Sequence, residues 1–294
     1  MKAQKWAPWI LLAPFLVLFL VSFAIPIGYA GVQSLTQVQR AGLFGEDGVT
    51  TSFAGLRNYA LAWENSEFVG SLGRVVLFGA VQVPVMIACA TALALLLESA
   101  SARWPRMFRA IYFMPYGVPG AIATIMWSFL YVPGLSPIID VAAVMGIELD
   151  LLGPGSVLWS IANIVTWTFT GYNMLILAAQ LKSIPGELYE AARMDGAGPL
   201  RIALHVQLPL IRPALVLCTV FSIIGTLQLF AEPQVLQSVS PAISSDYTPN
   251  LSAYNSAFNY NDYNVAAAQS IIIAMTAFAL SFAFLRLVNR KDRR

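Results

Sequence analysis

Two apolar stretches of this chain carry polar side chains at helical intervals. One holds Asn163, Thr166, Thr170 and Asn173, at separations of three, four and three, which is one face of a helix. Thr168 and Tyr172 form a second pair at i, i+4 on an adjacent face. The other stretch holds Ser222, Gly225, Thr226 and Leu229 in a similar stripe, with Gln228 and Glu232 nearby. Hydroxyls and amides can exchange hydrogen bonds with solute OH groups, and aromatic faces can stack on sugar rings. Such residues equally suit helix packing, where small polar groups bond across helices, and both readings stay open. Bond-breaking chemistry finds no support. No Ser/His pair or paired acid lies inside the apolar stretches, and the single histidine, His205, reads as a solvated loop residue. Cys89 and Cys218 fall in separate apolar runs, with no metal or disulfide spacing. Glu232 sits near the outer end of its stretch, and no cluster of acids marks a midplane, which argues against a proton-coupled carrier.

A different kind of segment lies between those two stretches: ELYEAARMDGAGPLRIALHVQLPLIRP, Glu187 to Pro213. Pro185 suits a first helical position. Glu187 and Glu190 favour the start of a helix and Arg193 its end. Gly196 fits a left-handed residue that closes the helix. Pro199 can open a second short helix, and Pro209 is expected to stop it. Ala191, Ala192, Ala197 and Gly198 keep the element thin, Leu188, Met194 and Leu200 offer apolar contact, and Glu190 and Asp195 offer charge. A thin helix of this kind can enter a groove on another protein. It can also simply rest on a bilayer.

The elements that position these residues follow from composition. The 294 residues are 58% apolar and only 11% charged, whereas a soluble domain has about a quarter of its residues charged. Apolar runs long enough to span a bilayer recur. They predict an all-α polytopic membrane protein with helices at about 9–30, 69–97, 108–131, 157–181, 211–236 and 264–287, after a short segment 1–8 and with a polar loop at 182–210. The first run is longer than a signal-peptide core and is followed by no clean cleavage site. Lys and Arg set the direction. Lys2 and Lys5; Arg103, Arg106 and Arg109; Lys182, Arg193, Arg201 and Arg212; and Arg286, Arg290, Lys291, Arg293 and Arg294 account for fourteen of seventeen, all on one side. Only Arg40, Arg57 and Arg74 fall on the other. Both termini and the 182–210 loop are therefore expected in the cytoplasm.

Glu190-Ala191-Ala192, then Asp195-Gly196-Ala197, then Leu208-Pro209 resembles the EAA loop of ABC-importer permeases. TWTFTGYNMLILAAQLKSIPGELYEAARMDGA, RMFRAIYFMPYGVPGAIATIMWSFLY and GLRNYALAW are similar to segments of the sugar-type permeases related to the maltose system. The resemblance implies that Glu190, Ala191, Ala192, Asp195, Gly196, Leu208 and Pro209 belong to an element that docks on an ATPase subunit. It also implies a substrate pathway along spans four and five, for which Thr168, Tyr172, Asn173, Ser222, Thr226 and Gln228 are the candidates. Ala203 and Val206-Gln207 depart from the commonest loop pattern, and a Gly-Gly-Pro often found between spans five and six is missing.

The implied activity is that of a permease subunit importing a carbohydrate or a related polar solute such as a glycerol phosphodiester. The chain lacks a G-x-x-x-x-G-K-[ST] phosphate loop, so it is expected to carry no cofactor. ATP and Mg are expected on two separate nucleotide-binding ATPase subunits. A second permease chain, an extracytoplasmic solute-binding protein and the bilayer complete the expected partners, and no nucleic acid is among them. The Tyr-, Asn- and Ser-rich stretch before span six has no Lys or Arg and lies outside, as an ordinary loop or as the surface receiving the binding protein. The competing reading, a secondary transporter, needs midplane ion sites or repeated broken helices, and neither is evident in the sequence.

Overall fold

A computed structural model describes residues 3–40, 49–99 and 103–291 of the chain. Lys2, Arg293 and Arg294, used above for orientation, lie outside the described residues.

The chain opens with α1 (Ala3–Phe19), a π-helical turn (Leu20–Ala24) and α2 (Ile25–Ser34). The π turn runs directly into Pro26, where Ile25 N donates to Leu20 O, five residues back. Widening the turn accommodates the proline, which has no N–H for the ordinary ladder. An antiparallel ribbon follows, β1 (Thr36–Arg40) with β2 (Val49–Phe53), in register from Thr36 opposite Phe53 to Arg40 opposite Val49. This ribbon is an addition to the all-α expectation. Its Thr and Val residues favour extended backbone, but it is too short to register beside the long apolar runs.

Helices α3 (Arg57–Glu64) and α4 (Ser66–Leu97) come next. Asn65 caps α4, its Oδ1 accepting from Glu67 N at 3.0 Å and Phe68 N at 3.1 Å. The span expected at 108–131 is broken into α5 (Pro105–Phe113), a 3₁₀ turn (Met114–Gly117) and α6 (Gly120–Tyr131), bent by 98°. Pro115, Gly117 and Pro119 account for the break, because neither proline can donate to the ladder and Val118, before Pro119, is pushed out of helical geometry into extended backbone. A short α7 (Pro137–Val144) precedes α8 (Val157–Lys182). The polar segment then forms α9 (Gly186–Met194), α10 (Pro199–Ile202), a second π turn (Ala203–Gln207) and α11 (Leu208–Leu210). Span five comprises α12 (Arg212–Leu227) and α13 (Ala231–Leu236), with a break at 228–230. The chain ends with α14 (Pro249–Phe258) and α15 (Tyr263–Lys291). Among the described residues, five helices are long and apolar enough to cross a membrane, or six if the bent pair counts as one span.

Packing centres on α4 against α8. At one end Phe78, Val157, Ile161 and Ile164 meet Leu229, Leu236 and Leu251. At the other Ala90, Ala94, Met174, Leu177 and Leu181 meet Ile211, Ala214 and Cys218. A third cluster joins Ala62, Phe68 and Leu72 to Ile272 and Ile273. Cys218 is thus buried, whereas Cys89 is exposed. Gly171 permits the closest helix approach, since a Cβ there would stand 1.8 Å from the Tyr112 carbonyl oxygen. Apolar side chains elsewhere on the spans are largely exposed, Phe15, Phe19 and Phe278 among them, as a lipid-facing surface requires.

Candidate functional site

The α9 helix has no side-chain cap at its start and is closed at its end by backbone bonds. Pro185 stands at the N-cap rather than at the first helical position. Its carbonyl accepts from Leu188 N at 3.2 Å. Glu187 lies in the first turn and Arg193 in the last, matching the helix dipole. At the far end Ala197 N donates to Ala192 O at 2.9 Å and Gly196 N to Arg193 O at 3.0 Å. Gly196 has φ +75°. Those two bonds with a left-handed glycine make a Schellman closure. Glu190, Ala191, Asp195 and Gly196 are exposed and Ala192 is half-buried. Leu188, Met194 and Leu200 are also exposed, Met194 at 88%. Inward, Tyr189 and Leu208 pack on the cluster at the ends of α4 and α8, and Gln207 Nε2 donates to Tyr189 Oη at 3.4 Å. The chain does not stop at Pro209. The π turn bonds Leu208 N to Ala203 O and carries the helix through the exposed proline to Ile211, the same device as at Pro26. His205 is exposed, its Nδ1 3.1 Å from Arg201 O.

The polar stripes are distributed unequally. Thr168 is buried and donates to Ile164 O at 2.9 Å. Thr170 donates to Thr166 O at 2.5 Å. Asn173 is buried, donating to Phe169 O at 3.1 Å, with Met86 Sδ 3.8 Å away. Thr226 is buried against Gly79, where a Cβ would come within 2.9 Å of its methyl. Ser222 and Tyr172 are half-buried, and Asn163 and Gln228 are exposed. Between helices, Gln82 Nε2 donates to Thr166 Oγ1 at 3.3 Å and Asn163 Nδ2 to Tyr131 Oη at 2.8 Å.

The break in span three supplies residues that sequence reasoning passed over. Tyr116 lies in the 3₁₀ turn and stacks on Tyr172 with ring centroids 4.7 Å apart, and Phe169 meets it edge-on at 5.8 Å. Tyr116 is 40% exposed. The Pro/Gly run MPYGVPG was the available signal. Beyond the turn, α6 packs on α13. Half-buried Glu232, in the first turn of α13, reaches back to the first residue of α6: its Oε1 would be 3.5 Å from a Cβ on Gly120. Where the loop before α14 meets α4, Arg74 donates to Tyr247 O at 2.7 Å and lies 4.4 Å over its ring. Burial pushes the Tyr247 phenol up, with Arg74 pulling in the opposite direction. No group of three or more metal-ligating side chains occurs among the described residues.

A bundle of apolar spans with two interrupted helices and one exposed helix between spans four and five defines a polytopic membrane-protein fold. The chain belongs to the family of binding-protein-dependent transport system inner membrane components, whose model matches residues 85–294. It is similar to the sn-glycerol-3-phosphate transport system permease protein UgpA of Yersinia pseudotuberculosis serotype I (strain IP32953), with 28% identity over 292 residues, 98% of this chain and 96% of that one. UgpA of Escherichia coli O157:H7 is 28% identical over 295 residues, 99% and 96% of the two chains. In fold it is similar to a chain of a bacterial ABC transporter involved in the import of the acidic polysaccharide alginate, with TM-score 0.81, 17% identity, and 98% and 96% coverage. A chain of the inward-facing MetNI methionine ABC transporter matches with TM-score 0.53, 19% identity, and 76% and 95% coverage. The chain is accordingly a permease subunit of an ABC importer rather than an enzyme, and ATP hydrolysis lies on separate subunits.

Proposed function

We propose that this chain forms half of the translocation pathway for a carbohydrate or related polar solute, and that α9 transmits ATPase closure to the spans. The exposed α9 helix carries the coupling half of this reading. It offers Glu190, Ala191, Asp195 and Met194 outward while Tyr189 and Leu208 seat it on the ends of α4 and α8. A force applied to α9 would therefore be delivered to the helix pair at the centre of the bundle. Two ATPase subunits bearing ATP and Mg, a second permease chain and an extracytoplasmic binding protein complete the assembly, with both termini and α9 in the cytoplasm. The solute class is supported by the names of the relatives, which concern sn-glycerol-3-phosphate and alginate. Exposed Tyr116, Asn163 and Gln228 supply ring and amide partners of the kind a polyhydroxylated solute needs.

The coupling test uses two substitutions. Gly196→Val places a branched side chain at φ +75°, at a cost of roughly 1–2 kcal/mol, and disturbs the helix end. Glu190→Lys reverses an exposed charge. Both variants should insert normally but lose ATPase-subunit binding and transport. Full uptake and unchanged ATPase binding in both would leave α9 as a surface helix only.

A further inference from the structure

We infer that a polar cleft between the start of the ribbon, α3 and the α14–α15 turn binds a neutral saccharide, a solute subsite apart from the polar stripes of spans four and five. The inference rests on the proposed carbohydrate reading and on the proposed orientation, which turns this end outward. The cleft has a volume of about 410 Å³, within the roughly 300–1,000 Å³ typical of small-molecule sites. Buried amides frame it. Asn58 is 3% exposed, and its Nδ2 donates to Ser34 O at 2.8 Å and to Thr36 O at 2.7 Å. Asn264, 7% exposed, reaches the same place from α15, its Nδ2 donating to Gln33 O at 2.9 Å and to Thr36 Oγ1 at 3.1 Å. Both N–H groups of each amide are thus spent on holding the end of α2 and the start of β1 in place. The carbonyl oxygens are left over. Neither has a partner among the described residues and neither is sealed from solvent, so each is an open acceptor on a residue that lines the cleft.

The facing wall is a turn fixed by its own main chain. Asn259 N and Tyr260 N both donate to Asn255 O at 2.9 Å, Asp262 N donates to Ser256 O at 2.8 Å, and Asn261 between them takes φ +56°. Tyr260 and Asp262 are thereby set on the cleft, the Tyr260 ring 67% exposed. Asp262 Oδ1 accepts from Val265 N at 3.1 Å at the start of α15, so its second oxygen remains for a ligand. From the ribbon side, exposed Arg57 donates through Nη1 to Gln37 Oε1 at 2.8 Å and keeps Nη2 free among the described residues. Arg57 and Asp262 form no salt bridge, since the ion pair found among the described residues joins Arg109 to Glu98. The cleft therefore offers donors and acceptors together, as a hydroxyl requires, because each OH gives one hydrogen bond and accepts others. One guanidinium and one carboxylate cancel in net charge. An anion entering would meet Asp262 and a cation Arg57, whereas a neutral polyol loses only hydroxyl hydration that these groups replace. The Tyr260 ring adds an amphipathic face on which the apolar side of a sugar can rest.

Protection of a cysteine in the cleft tests this on the assembled complex. Val38→Cys, at a cleft residue 45% exposed, is made with Cys89 and Cys218 both replaced by Ala, and Leu61→Cys, 42% exposed in the same cleft, serves if Val38→Cys does not assemble. Lipid nanodiscs leave both faces open and bring no glycoside detergent. The rate of maleimide labelling is measured with glycerol, glucose and maltose as probes, up to about 100 mM, enough to saturate a site of millimolar Kd. At least one sugar should slow labelling severalfold at the cleft cysteine and leave Leu135→Cys, exposed and outside the cleft, unchanged. Tyr260→Ala and Arg57→Gln should each raise the half-protecting concentration severalfold. No protection by either sugar, or the same protection at Leu135→Cys, would overturn the inference. So would protection by inorganic phosphate and not by the sugars, which would make the cleft an anion site. Protection by ligand-free binding protein and not by the sugars would make it a protein contact and overturn the inference equally. Binding is read without transport or sidedness, so failed carbohydrate uptake would remove the proposed pathway and leave a protected cleft standing, while intact uptake with an unprotected cleft would remove this subsite alone.

Discussion

Gly171 shows how much can depend on one missing methyl. The Tyr112 carbonyl of α5 rests where its Cβ would be, 1.8 Å away, and the neighbour is backbone that cannot swing aside. Gly171→Ala should therefore separate α5 from α8 and cost at least the upper end of the ~1–3 kcal/mol usual for overpacking. Gly79→Ala should cost less, because the Thr226 methyl it meets at 2.9 Å is side chain. Thermal unfolding of the detergent-solubilised complex checks the order, and equal midpoints would discredit the α5–α8 contact. Tyr172 offers a second residue-scale prediction. If it lines the pathway, Tyr172→Ala lowers uptake per assembled complex and leaves assembly intact. Unchanged uptake per complex, with lower assembly yield, would assign its stack on Tyr116 to packing alone. Helical spacing revealed the polar stripe on span four, but the sequence could not tell outward from inward members. Thr168 and Asn173 turn into the bundle while Asn163 stays exposed, because which side a helix presents depends on where its neighbours stand.

At the scale of elements, local chemistry was readable wherever it acts over a few residues. Gly196 closes α9 as its type demands, and the alanines around it keep the helix thin. Longer-range effects were less visible. Pro209 looked like a terminator, yet a π turn carries the helix through it. The continuous apolar character of 108–131 concealed a 98° bend, because hydropathy measures greasiness and not direction. The expected start of span two at residue 69 fell three residues late, since Asn65 draws the helix back to Ser66. That cap gives an element-scale prediction: Asn65→Ala should remove two side-chain bonds and cost about 1 kcal/mol. Hydrogen exchange at the Glu67 and Phe68 amides reads it locally. Unaltered protection at both would mean that packing of Phe68 on Ala62, Ile272 and Ile273, not the cap, holds this end.

For the whole molecule, the basic residues predict an orientation that labelling can test. A cysteine at Ser244 should react with an impermeant reagent from outside, and one at Gly198 only from inside; the reverse pattern would invert the topology. The way the spans satisfy their hydroxyls bears on how the protein is made. Thr91, Thr124, Thr168, Thr170, Thr219, Ser270 and Thr276 each donate to the carbonyl four residues earlier in the same helix. A hydroxyl with no partner is expensive in hydrocarbon, but these bring their partners with them. At these positions a span can thus leave the translocon and wait in lipid with its hydroxyls partnered before any neighbour arrives, whereas the Gln82 and Asn163 amides bond to other helices. Biogenesis then separates into insertion, governed by each helix alone, and assembly, governed by shape at sites such as Gly171 and Gly79. A lesion at those glycines should yield a chain that is membrane-integrated at normal abundance yet fails to mature into a complex, a defect that quality-control proteolysis rather than mistargeting would expose.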